Sequence, residues 1–220
     1  MKTEKYRKEY LASLFGSVYD SVLDRTFPIV NNPQKYTNWC DLNPALAEHR
    51  DVINSKVWVV SDHHFNHANI MKYANRKFSN VPEMNQFMID QHNAVVKSDD
   101  VVILGGDVAF CATNKANDFL SQLNGYKILI IGNHDWERKT GKLKVYDVDE
   151  IHMSYFIELD GTDILITHVP FYSTVMMDNK NLKNIHGHIH DKKMNHPRYI
   201  NMCVEHIDYQ PVLLSELITG

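Results

Sequence analysis

Five short polar clusters contain residue types and spacings that could do chemistry. They are Ser61-Asp62-His63-His64, Gly105-Gly106-Asp107, Gly132-Asn133-His134-Asp135, Thr167-His168 and His186-Gly187-His188-Ile189-His190. On an extended segment, residues two apart face the same side, which would aim Asp62 with His64 and His188 with His190. Carboxylates, imidazoles and an amide, without a thiolate, are donors suited to Mn, Fe, Zn, Co or Ni. The set is too large for one tetrahedral ion and about enough for two. A carboxylate such as Asp107 can bridge two metals held roughly 3.5–4 Å apart. Such a pair lowers the pKa of a shared water and clamps the oxygens of an in-line displacement at phosphorus. Asp-x-His and Gly-Asp alone say little, Gly-Asn-His-Asp and Gly-His-x-His say more, and all five in this order form a specific pattern.

The elements that must position these side chains are legible as short, β-branched apolar runs. Five of them, Val57–Val60, Val101–Leu104, 128–131, 164–167 and 184–186, each lead into or contain one cluster, and a sixth lies at 199–203. They read as buried strands. Helix candidates lie between them. One spans 81–97, with Pro82 and Glu83 in its first turn and Met84, Phe87, Met88, Ala94 and Val95 on one face. Another starts at Thr113 as N-cap, passes through Phe119, Leu120 and Leu123, and stops at Asn124-Gly125. Alternating strands and helices predict an α/β domain over residues 56–220. In such sheets, sites form at the C-terminal strand ends.

Residues 1–55 read differently. Tyr6, Tyr10, Leu14, Val18 and Val22 recur every four residues, predicting a helix over 3–24 that Phe27-Pro28 ends. This is an N-terminal helical extension, whose aromatic face either docks on the domain or makes a homo-oligomer contact.

Composition narrows the classes. Lys plus Arg is 23 and Asp plus Glu is 27, giving a net charge of −4, which excludes a uniformly basic nucleic-acid coat but not a local patch. Hydrophobic residues at 44% and charged residues at 23% exclude wholesale disorder. The longest apolar run is five residues, 108–112, too short to span a bilayer. Three cysteines without a C-x-x-C pair read as reduced thiols. With no apolar run following the N-terminus, the expected compartment is the cytoplasm. Histidines number 13 against nine glycines, an excess that metal ligation would explain.

These motifs resemble the calcineurin-like metallophosphoesterase family, whose pattern is Asp-x-His, Gly-Asp, Gly-Asn-His-Asp or Glu, a lone His, and Gly-His-x-His. The stretch Asp62-His63-His64-Phe65-Asn66-His67 is similar to a small bacterial and bacteriophage branch with Asp-x-His-Phe-Gly-His. The resemblance implies a four-layer α-β-β-α sandwich of two mixed sheets packed face to face. It also implies two divalent ions, with manganese foremost and Fe, Zn, Ni or Co as alternatives. Asp62, His64 and His190 would hold one, Asn133, His168 and His188 the other, and Asp107 would bridge. His134 would assist the leaving group, Asp135 would orient the His134 imidazole, and a metal-bound hydroxide would attack. The family's Ser/Thr phosphatases follow the bridging Asp with an Asp-Arg pair, whereas Asp107 is followed by Val108-Ala109-Phe110. Without a guanidinium to grip a monoester, a phosphodiesterase acting on cyclic nucleotides or nucleic acid is expected. Phosphomonoesterase activity and a non-catalytic binding scaffold are the alternatives.

Other residues near the motifs are weaker candidates. His67, Arg76 and His186 could contact substrate, and Trp136 could stack a base. Basic residues Arg76-Lys77, Arg138-Lys139, Lys142, Lys144, Lys192-Lys193 and Arg198 could form a positive rim.

Overall fold

A computed structural model describes residues 56–137, 140–144, 146–159, 161–171 and 179–219. The helix expected over 3–24, the oligomer contact through residues 1–55 and the basic pair Arg138-Lys139 lie outside the described residues.

The expected apolar runs are strands. The first sheet contains β1 (Val57–Val60), β2 (Val101–Leu104), β3 (Tyr126–Ile130), β4 (Glu150–His152) and β9 (Val212–Leu213), in the order β4-β3-β2-β1-β9. Strands β1 to β4 run parallel, with Val60 opposite Leu104 and Leu104 opposite Leu129, and β9 is antiparallel to β1. The second sheet has β5 (Ser154–Leu159), β6 (Thr162–Thr167), β7 (Leu182–His186) and β8 (Tyr199–Asn201), in sequential order. Here β5 is antiparallel to β6, and β6, β7 and β8 are parallel.

Side-chain alternation along the first sheet divides the core in two. Val59, Ile103, Ile128 and Ile130 face Ile164, Ile166 and Ile185 of the second sheet. Val60, Val102, Leu104 and Leu129 face Met84, Met88, Ala116 and Leu120 on the outer helices. The protein is thus an α/β sandwich of two mixed sheets with flanking helices, as expected.

The helices are α1 (Ile70–Tyr73), α2 (Val81–Val95), α3 (Thr113–Leu120) and α4 (Leu214–Thr219). Asn80 caps α2, its Oδ1 accepting from Glu83 N at 2.9 Å, while Glu83 Oε2 accepts from Ser79 N. The buried face of α2 is Met84, Asn85, Met88, Ile89 and His92, and Phe87, expected inside, is 39% exposed. Ala112, not Thr113, precedes the first turn of α3, and this helix closes at Leu120 in tighter turns before Gly125 at φ 94°. None of the described helices is long and apolar enough to cross a membrane.

Parallel pairing brings the C-terminal ends of β1, β2 and β3 to one edge, and those of β6 and β7 meet them. The seam is closed by hydrogen bonds: Ser61 N donates to Met202 O, and Val204 N donates to Ser61 O.

Candidate metal centre

The backbone at the strand ends is not extended. Asp62 (φ 62°), His64 (φ 52°), Asp107 (φ 53°), His188 (φ 71°) and His190 (φ 51°) all occupy the left-handed region. Strand alternation therefore does not explain why Asp62 and His64, or His188 and His190, converge. Left-handed non-glycine residues cost roughly 1–2 kcal/mol each, so surrounding bonds must hold them. Asp62 N donates to Gly106 O, and His64 N donates to Asp107 O, tying the first loop to the second.

These turns assemble two donor groups. Ligand atoms of Asp62, His64 and His190 lie within 4.8 Å of one another, as do those of Asp107, His168 and His188. Asp107 Oδ2 lies 3.5 Å from both His64 Nε2 and His168 Nε2, so this carboxylate sits between the groups. Asn133 Oδ1 lies 3.0 Å from His168 Nε2.

The donors fit cations on a direct test. Asp62 Oδ2 accepts from Ser61 Oγ at 2.6 Å, His188 N at 2.9 Å and Cys203 Sγ at 3.2 Å. Its other oxygen, Oδ1, is buried with no partner, and so is His64 Nε2, 3.8 Å away. Buried polar atoms are seldom left bare, because the desolvation is uncompensated. Here the bare atoms belong to ligand-type side chains whose remaining atoms are tied back. His64 Nδ1 meets His67 Nδ1 at 3.2 Å, and His168 Nδ1 meets Gly105 O at 2.8 Å. Such outer contacts fix which ring nitrogen is presented.

Charge in the centre is unbalanced in the same sense. Burial would raise Asp62, but His168, His64 and His190 hold it well below the usual carboxylate range. Burial would lower His168, but Asp107 and Asp62 push it up to about 10. The two carboxylates thus favour positive charge between them, which a divalent ion would supply in place of the proton.

His134 borders both groups. Its ring is 30% exposed, with Nε2 4.0 Å from Asp107 Oδ2. Its backbone is anchored twice, N donating to Asp107 Oδ1 at 2.7 Å and O accepting from Lys144 Nζ at 2.8 Å.

Four expectations need correction. Asp135 does not orient the His134 ring. Its Oδ2 accepts from Asp107 N and Gly132 N, and its Oδ1 accepts from Val108 N and Tyr146 Oη. The wholly buried carboxylate is spent on joining two loops. Arg76 is not at a substrate rim: it is 3% exposed and bonded to Glu205 and to backbone carbonyls. His186 is fully buried at the end of β7, with Nδ1 against Gly187 O, beyond the reach of a substrate. Lys144 is also buried, donating to Ala109 O as well as His134 O, so it is no part of a positive rim. His67 does reach the centre, but its ring packs on Phe110 at 4.1 Å and its Nδ1 faces His64. Trp136 pairs with Leu143 in a short bridge beyond the His134 loop.

No motif points to the parts played by Tyr146, Lys144 or Glu205. Each lies outside the motifs, and only the tertiary fold brings it to a motif residue. His190, Cys203 and Glu205 form a third group of donors within 4.8 Å; Glu205 Oε1 meets Arg76 at 2.7 Å, and its Oε2 is buried with no partner.

Comparison with known proteins agrees with this geometry. An uncharacterized protein of Methanocaldococcus jannaschii is 38% identical over 173 residues, covering 74% of this chain and 89% of its own. A protein of unknown function from Aquifex aeolicus, of known crystal structure, superposes with a TM-score of 0.60 at 26% identity, covering 76% of this chain and 99% of that one. The family model for the calcineurin-like phosphoesterases matches residues 55–210, which include all five motifs. The chain belongs to the calcineurin-like phosphoesterase family and is a metal-dependent phosphoesterase.

Proposed function

We propose that this chain hydrolyses phosphodiesters at a dinuclear centre. Asp62, His64 and His190 would hold one divalent ion, Asn133, His168 and His188 would hold the other, and Asp107, between them, would be shared. The observation that carries the reading is the pair of donor groups on either side of Asp107, with Asp62 Oδ1 and His64 Nε2 buried and bare. Two divalent ions, when bound, would lower the pKa of water and draw charge from the phosphoryl oxygens. Manganese suits this donor set, as do the neighbouring first-row ions.

The chain's own residues do the rest. His134 is exposed enough to meet a substrate oxygen, and its Nε2 delivers a proton to the leaving group. Lys144 and Asp107 hold the His134 backbone, and Asp135 locks the 105–108 and 132–135 loops in mutual register. His67 keeps the His64 ring turned so that Nε2 faces inward. Diester preference is supported by the residues after Asp107 and by where the arginines lie. Val108 and Ala109 are buried, and the two described arginines, Arg76 and Arg198, are bonded to Glu205 and to Asn179 O respectively. Neither is placed to grip the extra charge of a monoester. The substrate class is a nucleotide or nucleic-acid phosphodiester.

The test is turnover of bis-p-nitrophenyl phosphate against p-nitrophenyl phosphate with Mn²⁺, for wild type and His134→Ala. A diester preference that falls by two or more orders of magnitude in the variant is expected, in line with losses of about 10²–10⁴ on removing a general acid. A monoester preference would overturn the diester assignment. Metal-loaded protein that turns over neither substrate, nor cyclic nucleotides or single-stranded DNA, would point to a binding scaffold.

A further inference from the structure

Arg76 and Glu205 are 129 residues apart in the chain and form a buried ion pair, with side-chain exposures of 0% and 5%. The guanidinium is used from three sides. Nε and Nη2 both meet Glu205 Oε1, at 2.8 and 2.7 Å. Nη2 also donates to Asp62 O at 2.7 Å, and Nη1 donates to His63 O at 2.7 Å. Glu205 Oε1 in turn lies 3.2 Å from His190 Nδ1. One planar side chain therefore ties the backbone of Asp62 and His63 to the carboxylate that meets His190. It grips the backbone at the left-handed turn carrying Asp62 and His64, and through Glu205 it holds the ring of His190.

We infer that Arg76 and Glu205 are positioning residues for the first metal, and that the second metal is indifferent to them. Neither side chain meets Asp107, Asn133, His168 or His188 in these bonds. The pair also solves an electrostatic problem. A lone arginine beside a cation site would repel the ion, and Glu205 cancels its charge. Lysine cannot substitute, because a single ammonium cannot hold two carbonyls and a carboxylate in one plane. This inference rests on the dinuclear reading above.

The experiment titrates Mn²⁺ into metal-stripped protein, following free Mn²⁺ by electron paramagnetic resonance, for wild type, Arg76→Lys and Glu205→Gln. Wild type is expected to bind two equivalents. Each variant should keep one at wild-type affinity and weaken the other by roughly 10- to 100-fold, the usual cost of losing a partner that orients a ligand. Near-UV circular dichroism checks that the variants are folded. Should Arg76→Lys fail that check, Glu205→Gln decides, since its amide keeps the size and an acceptor oxygen. Two equivalents at wild-type affinity in a folded variant would overturn the inference. So would parallel weakening of both, which marks a general structural role. A wild type that binds a single equivalent would instead overturn the dinuclear reading, and this inference with it.

Discussion

Gly187 packs so closely on Asp62 that a Cβ built on it would lie 2.3 Å from Asp62 Oδ2. The approach is what lets His188 N, the next amide, donate to that same oxygen at 2.9 Å. Gly187→Ala is therefore expected to push the carboxylate away and turn Oδ1 off the first donor group. Manganese affinity at that group should fall by roughly 10-fold or more, with the fold retained. Calorimetric titration of the metal-stripped variant checks this.

Lys144 is buried with its ammonium on two carbonyls, Ala109 O and His134 O. Lys144→Met keeps the apolar stem and removes the donors. Two buried acceptors lose a partner, at about 1–3 kcal/mol each where no water replaces it. Urea denaturation should report that loss. Because His134 carries one of those carbonyls, kcat should fall well beyond any change in KM.

Asp135→Asn tests the loop lock. Whichever way the amide turns, its NH2 faces donors: Asp107 N and Gly132 N on one side, Val108 N and Tyr146 Oη on the other. A charge-assisted acceptor becomes a clash of donors, and a destabilisation of about 3 kcal/mol or more is expected. Tyr146→Phe removes a single donor and should cost about 1 kcal/mol. Thermal melts of both variants give the comparison.

His92 predicts a pH dependence of stability carried by a residue outside the two donor groups. It is fully buried on α2, with Nε2 against Asn124 O and Nδ1 unpartnered. Burial lowers its pKa from 6.5 to about 4. Between those values the unfolded chain binds the proton and the folded chain does not. Stability rises with pH across the window and is lost as pH falls from 6.5 towards 4. The full effect is on the order of 3 kcal/mol. His92→Gln keeps a polar group near Asn124 O but does not titrate. Its stability should fall less steeply with acid than that of wild type, as read from urea midpoints at about pH 7 and about pH 4.5. Parallel slopes would count against the assignment.

Much of the scaffold is legible in the sequence because its central strands are buried on both faces. Val101–Leu104 is wholly buried and reads as an unbroken apolar run. The strands that leave no such mark, β4, β5 and β9, lie at sheet edges. An edge strand can leave alternate residues exposed, as Ile151 and Phe156 are at 40% and 44%, so no continuous run marks it. The candidate metal donors are legible because their chemistry is rare and each cluster falls at a strand end. The left-handed turns that aim them are not. Asp and His tolerate positive φ, but only bonds from Gly106, Asp107 and Arg76 decide that they adopt it. Arg76, Lys144 and Asp135 mislead a reader of the sequence for a shared reason. Charged side chains are usually solvated, and nothing local shows that a backbone carbonyl or amide awaits them in the interior.

The left-handed conformation of Asp62, His64, Asp107, His188 and His190 makes the site expensive to keep and easy to lose. At each of these positions glycine would relax the backbone while deleting the donor side chain. Selection for folding alone would thus erode this centre, and a lineage freed from hydrolysis could trade ligands for thermal robustness in single steps. Five donor side chains thus stand where the backbone alone would favour glycine, held there by bonds from the neighbouring loops.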